Sequence, residues 1–169
     1  YGKTRALDNV SLEVERGTIY GIMGETGSGK STLLKLFNGL LPTKEGKIEI
    51  DDVDISTLSP WTLPYMVGLV FQYPESQLFE ESVIKDVAFG ALNKGLDKSI
   101  ATDKAKKALE AVGLGEDKWY VSPFSLAGGE KRRAALAGVL VMDSDILGLD
   151  EIAAGLDKKG KDQIFSLLL

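Results

Sequence analysis

Apolar and polar positions alternate from Leu7 to Val14. Leu7, Val10, Leu12 and Val14 stand against Asp8, Asn9, Ser11 and Glu13, which predicts a strand with one buried face. Glu15-Arg16-Gly17 reads as a turn into a second strand, Thr18–Met23. Helical spacing then takes over across Lys30–Asn38, with Leu33, Leu34 and Phe37 on one face and Gly39 as the stop. Pro42 to Gly46 is a turn, Lys47–Ile50 a short strand, and Ser59–Met66, with two prolines, an irregular or short helical piece. Val67–Phe71 is apolar apart from Gly68, the pattern of a strand buried in a parallel sheet. Beyond Gln72 the period becomes helical. Glu81–Leu92 and Asp97–Val112 read as helices, the second striped by Ala101, Ala105, Ala108 and Val112 and closed by Gly113. Gly128-Gly129 opens a third helix, to about Met142. Strand character returns at Asp145–Leu149 and helix at Lys158–Leu169. The layout is an α/β core, residues about 1–72 and 144–169, interrupted by a helical subdomain at about 73–143.

The segment between the second strand and the first helix carries the chemistry. Gly24-Glu25-Thr26-Gly27-Ser28-Gly29-Lys30-Ser31-Thr32 fits G-x-x-x-x-G-K-[ST], a loop whose glycines turn backbone N–H groups inward around phosphate oxygens. Lys30 is expected on the β- and γ-phosphates of a nucleoside triphosphate and Ser31 on Mg²⁺. The bland alternative, a glycine-rich turn, does not require a strand before it and a helix after it. Both are expected here.

Two further stretches gain meaning beside that loop. Asp145–Leu149 ends in Asp150-Glu151. Paired acids often do no more than solvate a strand end. A phosphate loop, however, needs a carboxylate at a neighbouring strand tip for Mg²⁺, a role for Asp150, and a base for the attacking water, a role for Glu151. In Ser125–Arg133, Gly128 and Gly129 either turn the chain or expose first-turn N–H groups as an anion seat.

Composition narrows the classes. The 169 residues include no cysteine and no histidine, so thiolate chemistry, disulfides and imidazole bases are absent from this sequence. A net charge of −5 argues against a general nucleic-acid binder. No apolar run approaches the ~18 residues of a membrane span, and the expected compartment is the cytoplasm.

The order and spacing of the three stretches resemble the ATP-binding subunits of ABC transporters, across essentially the whole chain. The resemblance implies a phosphate-loop NTPase (RecA-like, ABC ATPase) sheet core with an inserted helical subdomain, ATP and Mg²⁺ as ligands, and a head-to-tail ATPase dimer, homotypic or with a sister subunit. It implies a transmembrane coupling subunit as partner, a peripheral position on the cytoplasmic face of the membrane, and no nucleic acid. By resemblance Ala127, Gly128 and Gly129 lie in the signature stretch, seating the γ-phosphate of ATP held by the opposite subunit. Gln72 contacts Mg²⁺ and the attacking water, and Asp157, in Ala154-Gly155-Leu156-Asp157, lies in a loop crossing the dimer interface. Tyr1 is either the aromatic that stacks on adenine or a plain turn residue. Val70–Glu81, followed by Asp86-Val87-Ala88-Phe89-Gly90, and Gly129–Arg133, running into Ala137–Leu140, resemble the energy-coupling-factor group, which powers uptake of vitamins or of cobalt and nickel ions.

The chain departs from that family in places. Ala127 replaces the usual serine, and one hydroxyl bond to a charged phosphate contributes about 1.5–3 kcal/mol, so weaker dimer closure is expected. Glu25 puts a carboxylate in the phosphate loop. Turned inward at about 8–10 Å from a phosphate charge, it would cost about 2 kcal/mol before screening; turned outward, much less. Gly148 weakens a core strand, and Ile152 stands where proline is usual. The family's later strand and its switch histidine do not occur, a loss of about 10²–10³ in turnover. A partial chain, with the C-terminal part of the family domain absent, is therefore expected rather than a complete subunit. Two other readings stand beside the ATPase: a degenerate, non-hydrolysing partner subunit, and an ABC protein of DNA repair or translation, the latter disfavoured by the acidic composition.

Overall fold

The computed structural model describes residues 5–152 and 158–168, which fall into two compact units divided after Leu63.

In the first unit, helix α1 (Lys30–Phe37) follows the phosphate loop and ends at Asn38 and Gly39, the latter in left-handed conformation (φ 75°). Glu49–Ile50 (β1) pairs antiparallel with Val53–Asp54 (β2). Asp51 and Asp52 make the connecting turn with φ of 48° and 63°, the two positive values that a tight hairpin of this hand requires. The Arg16 side chain reaches the Asp51 carboxylate, which this hydrogen bond holds below the ordinary aspartate range.

The expected strands Leu7–Val14 and Thr18–Met23 do not form. Alternation specifies the faces of a strand, but its N–H and C=O groups need a neighbouring ladder, and neither segment has one among the described residues. Val10, Leu12, Val14, Ile19, Tyr20, Ile22 and Met23 accordingly stay exposed. The strand expected over Lys47–Ile50 shortens to β1.

The second unit begins in the turn of helix α2 (Leu63–Met66) and runs into β3 (Val67–Val70), which pairs in parallel with β4 (Ile146–Leu149) in the register Val67 with Ile146 and Val70 with Leu149. Between them lie α3 (Val83–Asn93), α4 (Lys98–Ala111) and α5 (Gly128–Leu140); α6 (Lys158–Leu168) follows β4. These helices fall within two residues of the boundaries expected from periodicity. They enclose a core of Val83, Val87, Ala91, Ala101, Ala105, Leu109 and Leu136, joined by all-buried β3. Such a core tolerates little added volume. At Gly68 a Cβ would sit 2.9 Å from Val139 Cγ1 of α5, so the glycine lets helix and strand approach. Gly148 is buried opposite Leu69 in the ladder. Ile152, unusual by sequence, has a physical use: it is 6% exposed and packs in this core.

Candidate functional site

The phosphate loop is built as a turn followed by a helix mouth. Ser28 N–H donates to the Glu25 carbonyl at 3.1 Å, and Gly27 and Gly29 take φ of 86° and 95°. At Gly29, which caps α1, a Cβ would lie 2.6 Å from the Ala6 carbonyl oxygen, so a side chain there meets both backbone strain and a collision. Lys30, the first residue of α1, curls back over the loop. Its Nζ donates to the carbonyls of Gly24 (2.7 Å) and Glu25 (2.8 Å), with Ser28 Oγ at 3.5 Å. No carboxylate among the described residues pairs with this ammonium, which leaves a net positive charge at the positive end of a helix. That is a seat for an anion. Glu25 and Thr26 are exposed, and Ser31 and Thr32 fall in the first turn of α1.

In the second unit, parallel pairing brings residues nearly eighty positions apart to one end of the ladder. Asp150 N–H donates to the Val70 carbonyl at 2.9 Å, continuing the pairing one residue past β4. Asp150 is buried, at 9% exposure. One step on, the Gln72 side-chain amide donates to Glu151 Oε2 at 2.8 Å. Glu151 has φ 53°. The other non-glycine residues with positive φ, among those described, are asparagine or aspartate, which bond locally to their own backbone and tolerate that conformation. Glutamate has no such relief, so Glu151 holds a strained backbone at the strand tip, where sequence placed a general base. Asp150, Glu151 and Gln72 thus form one junction. Among the described residues no group of three or more acidic side chains stands ready to hold a metal alone. The buried Asp150 carboxylate and the Gln72 amide oxygen are hard oxygen donors, of the kind that suits Mg²⁺ sharing phosphate oxygens and water.

The mouth of α5 is a third element of the second unit. Leu126 is buried and anchors the approach; Ala127 is the N-cap, with Gly128 and Gly129 in the first turn. Glu130 Oε2 accepts the Ala127 N–H at 2.9 Å. This is half of a capping box, because the Ala127 methyl offers no oxygen to the amides of the first turn. A Cβ built on Gly128 or Gly129 meets no atom within 4 Å. The chain's own packing therefore does not demand glycine there, as close approach of an outside group would. Tyr1, Asp157 and the rest of the 154–157 stretch lie outside the described residues.

Sequence reasoning missed two contributors. Asp86 accepts the N–H groups of Phe79 (2.7 Å) and Glu80 (2.8 Å), tying down the segment that follows Gln72. Burial raises its carboxyl above the ordinary range, against the pull of those two amides. The second is the pair of Glu75 with Arg132, which joins that same segment to α5. Neither has a local sequence signature, since both partners are fixed by tertiary packing.

The family described as ABC transporter matches residues 7–154 of this chain. A protein of Acetivibrio thermocellus named energy-coupling factor transporter ATP-binding protein EcfA2 is 51% identical over 164 residues, covering 97% of this chain and 58% of that protein. Proteins of the same name from Lactococcus lactis subsp. cremoris and Clostridioides difficile are each 48% identical over 168 residues. The chain spans 58% of the length of each of these curated relatives. Among solved structures, cbiO1 from Clostridium perfringens, described as part of the ABC transporter complex cbiONQ, superposes with a TM-score of 0.83 at 39% identity, over 96% of this chain and 65% of that one. The ATP-binding cassette MJ0796, solved as a dimer in a post-hydrolysis state with ADP and Pi, superposes with a TM-score of 0.86 at 28% identity, over 96% and 73%.

Proposed function

This chain belongs to the ABC transporter family, with the phosphate-loop fold of its ATP-binding cassettes, and from that premise we propose that it is the ATP-binding and ATP-hydrolysing part of an energy-coupling-factor importer for a vitamin or a transition-metal ion. The observation that carries the reading is the Gln72–Glu151 contact at 2.8 Å beside buried Asp150. An amide and two acids meeting at the end of a parallel strand pair have no packing task that apolar residues would not perform better.

In the proposed mechanism, Lys30 and the amides of residues 24–32 hold the phosphates of ATP. The Ser31 hydroxyl, the Asp150 carboxylate and the Gln72 side-chain oxygen are the groups that would hold Mg²⁺. Bound Mg²⁺ supplies charge neutralisation at the phosphate oxygens. Gln72 orients the attacking water, and Glu151 takes its proton; Oε2 accepts the Gln72 amide, and Oε1 is the oxygen assigned to the proton. The mouth of α5, at Ala127, Gly128 and Gly129, takes the γ-phosphate of ATP held by the dimer partner, a second copy or a sister subunit, and Asp157 belongs to the same interface. Tyr1 is assigned to the adenine. Closure of that dimer is the power stroke delivered to a transmembrane subunit. No helix among the described residues is long and apolar enough to cross a membrane. Membrane attachment is accordingly proposed as peripheral, on the cytoplasmic face, through that subunit.

Ala127 favours a second reading, a partner subunit with little turnover of its own. Mg²⁺-dependent ATP hydrolysis by the full-length protein, alone and with its sister subunit, separates the two. The leading reading predicts hydrolysis that requires Glu151. Hydrolysis carried wholly by the sister subunit supports the second reading, and a protein that binds no ATP overturns both.

A further inference from the structure

A largely buried ion pair in the second unit joins two parts of the proposed machinery. Glu75 lies in the 3₁₀ turn Pro74–Gln77, three residues past Gln72, and buried Pro74 pins that turn. Arg132 lies in α5, four residues past Gly128 at the helix mouth. Arg132 Nη2 reaches Glu75 Oε1 at 3.4 Å, with the two side chains only 11% and 29% exposed. Glu75 Oε2 is buried and accepts no hydrogen bond among the described residues.

As a source of stability this is a poor arrangement. Burying two charges incurs desolvation that a contact as long as 3.4 Å offsets only in part, and apolar side chains of similar volume would hold the helix as well. Fixing register is the better use of such a pair: a charge on the turn meets its partner at only one position of the helix. Gln72, at one end of this linkage, bonds Glu151; Ala127–Gly129, at the other, form the helix mouth.

We propose that Glu75 and Arg132 are a positioning pair that couples the Gln72–Glu151 junction to the mouth of α5, so that an anion seated at the mouth sets the position of the Gln72 side chain. Both act through Gln72 and the helix mouth and are assigned no contact with nucleotide. The inference rests on the functional reading above and adds to it a route between two of its parts.

The test uses the full-length protein in its transporter complex. Removing one partner leaves a buried charge, so the main variant is the neutral pair Glu75→Gln with Arg132→Met, and Arg132→Lys serves as the conservative rescue. The expected result for the neutral pair is a KM for ATP within about twofold of the unaltered complex and a kcat lowered at least about tenfold, since phosphate-loop binding is kept while water positioning is lost. Arg132→Lys is expected to keep at least about a third of kcat. Hydrogen–deuterium exchange supplies a readout independent of turnover. In the unaltered complex MgATP is expected to slow exchange in both 127–131 and 72–78, and in the neutral pair in 127–131 only. A neutral pair with unaltered kcat, or with both segments still protected, overturns the coupling while leaving the ATPase reading intact. An unaltered complex that neither hydrolyses ATP nor gains protection in either segment overturns the ATPase reading, and the coupling with it.

Discussion

Replacing Ala127 with serine adds one hydroxyl at the mouth of α5, and the structure assigns it two separable effects. Ala127 is the N-cap of a 13-residue helix, with extended backbone (φ −66°, ψ 156°), and its N–H already donates to Glu130 Oε2 at 2.9 Å. A serine there would accept the Glu130 N–H and complete the reciprocal box. Caps of this kind contribute about 1 kcal/mol, or about 2–4 °C in Tm for a chain of this size. The hydroxyl hydrogen would still be free to donate to a phosphate oxygen. A bond to a charged acceptor contributes about 1.5–3 kcal/mol, or about ten- to a hundredfold in the ATP concentration that drives dimerisation. Melting without nucleotide reads the first effect. Sedimentation against MgATP, in a background that cannot hydrolyse, reads the second. Both should move in Ala127→Ser. A rise in Tm with no change in ATP-driven dimerisation would leave Ala127 as a cap and remove the helix mouth from the phosphate site. No change in either would refute the local geometry as well.

Two further outcomes follow from contacts described above. Lys30→Ala removes the ammonium that bridges the Gly24 and Glu25 carbonyls. Titration with a fluorescent ATP analogue should then give a Kd weaker by at least about ten- to a hundredfold, from one charge-assisted bond of about 1.5–3 kcal/mol; unchanged affinity would remove Lys30 from the phosphates. Asp86 is buried with its pKa raised above the ordinary 3.8. Between the unfolded and folded values the folded state therefore binds more protons, and stability falls as pH rises through that window, levelling off above the folded pKa. Urea midpoints of the unaltered protein relative to Asp86→Asn should decline as pH rises from about 3.8, and a difference that grows in the opposite sense would contradict the burial argument.

Legibility in the sequence followed the range of the interactions. Helices α3, α4 and α5 were readable because their stripes, such as Ala101, Ala105 and Ala108, repeat within a few residues. Val67–Phe71 and Asp145–Leu149 were readable as strands because both are short, apolar and punctuated. Leu7–Val14 carried an equally clear alternation and formed no ladder, since the pattern names a face and not a partner. The hairpin at Asp51-Asp52 went unread because aspartates at positive φ give a weaker signal than Asn-Gly. Within the candidate site, the phosphate loop, Asp150 and Glu151 were legible from chemistry and spacing. The Gln72–Glu151 contact, Asp86 and the Glu75–Arg132 pair depend on residues far apart in the chain meeting in space, and no local pattern encodes them.

The proposed role of Glu151 as the base that takes the proton of the attacking water can be tested directly. Glu151→Gln keeps the shape and removes the base, so MgATP binding and single-turnover hydrolysis should be measured on the same preparation of the full-length complex. The expected result is a Kd for ATP within about threefold of the unaltered complex and hydrolysis slower by at least about a hundredfold, at the lower end of what a positioned general base contributes. Hydrolysis at the unaltered rate, with ATP bound normally, would contradict it.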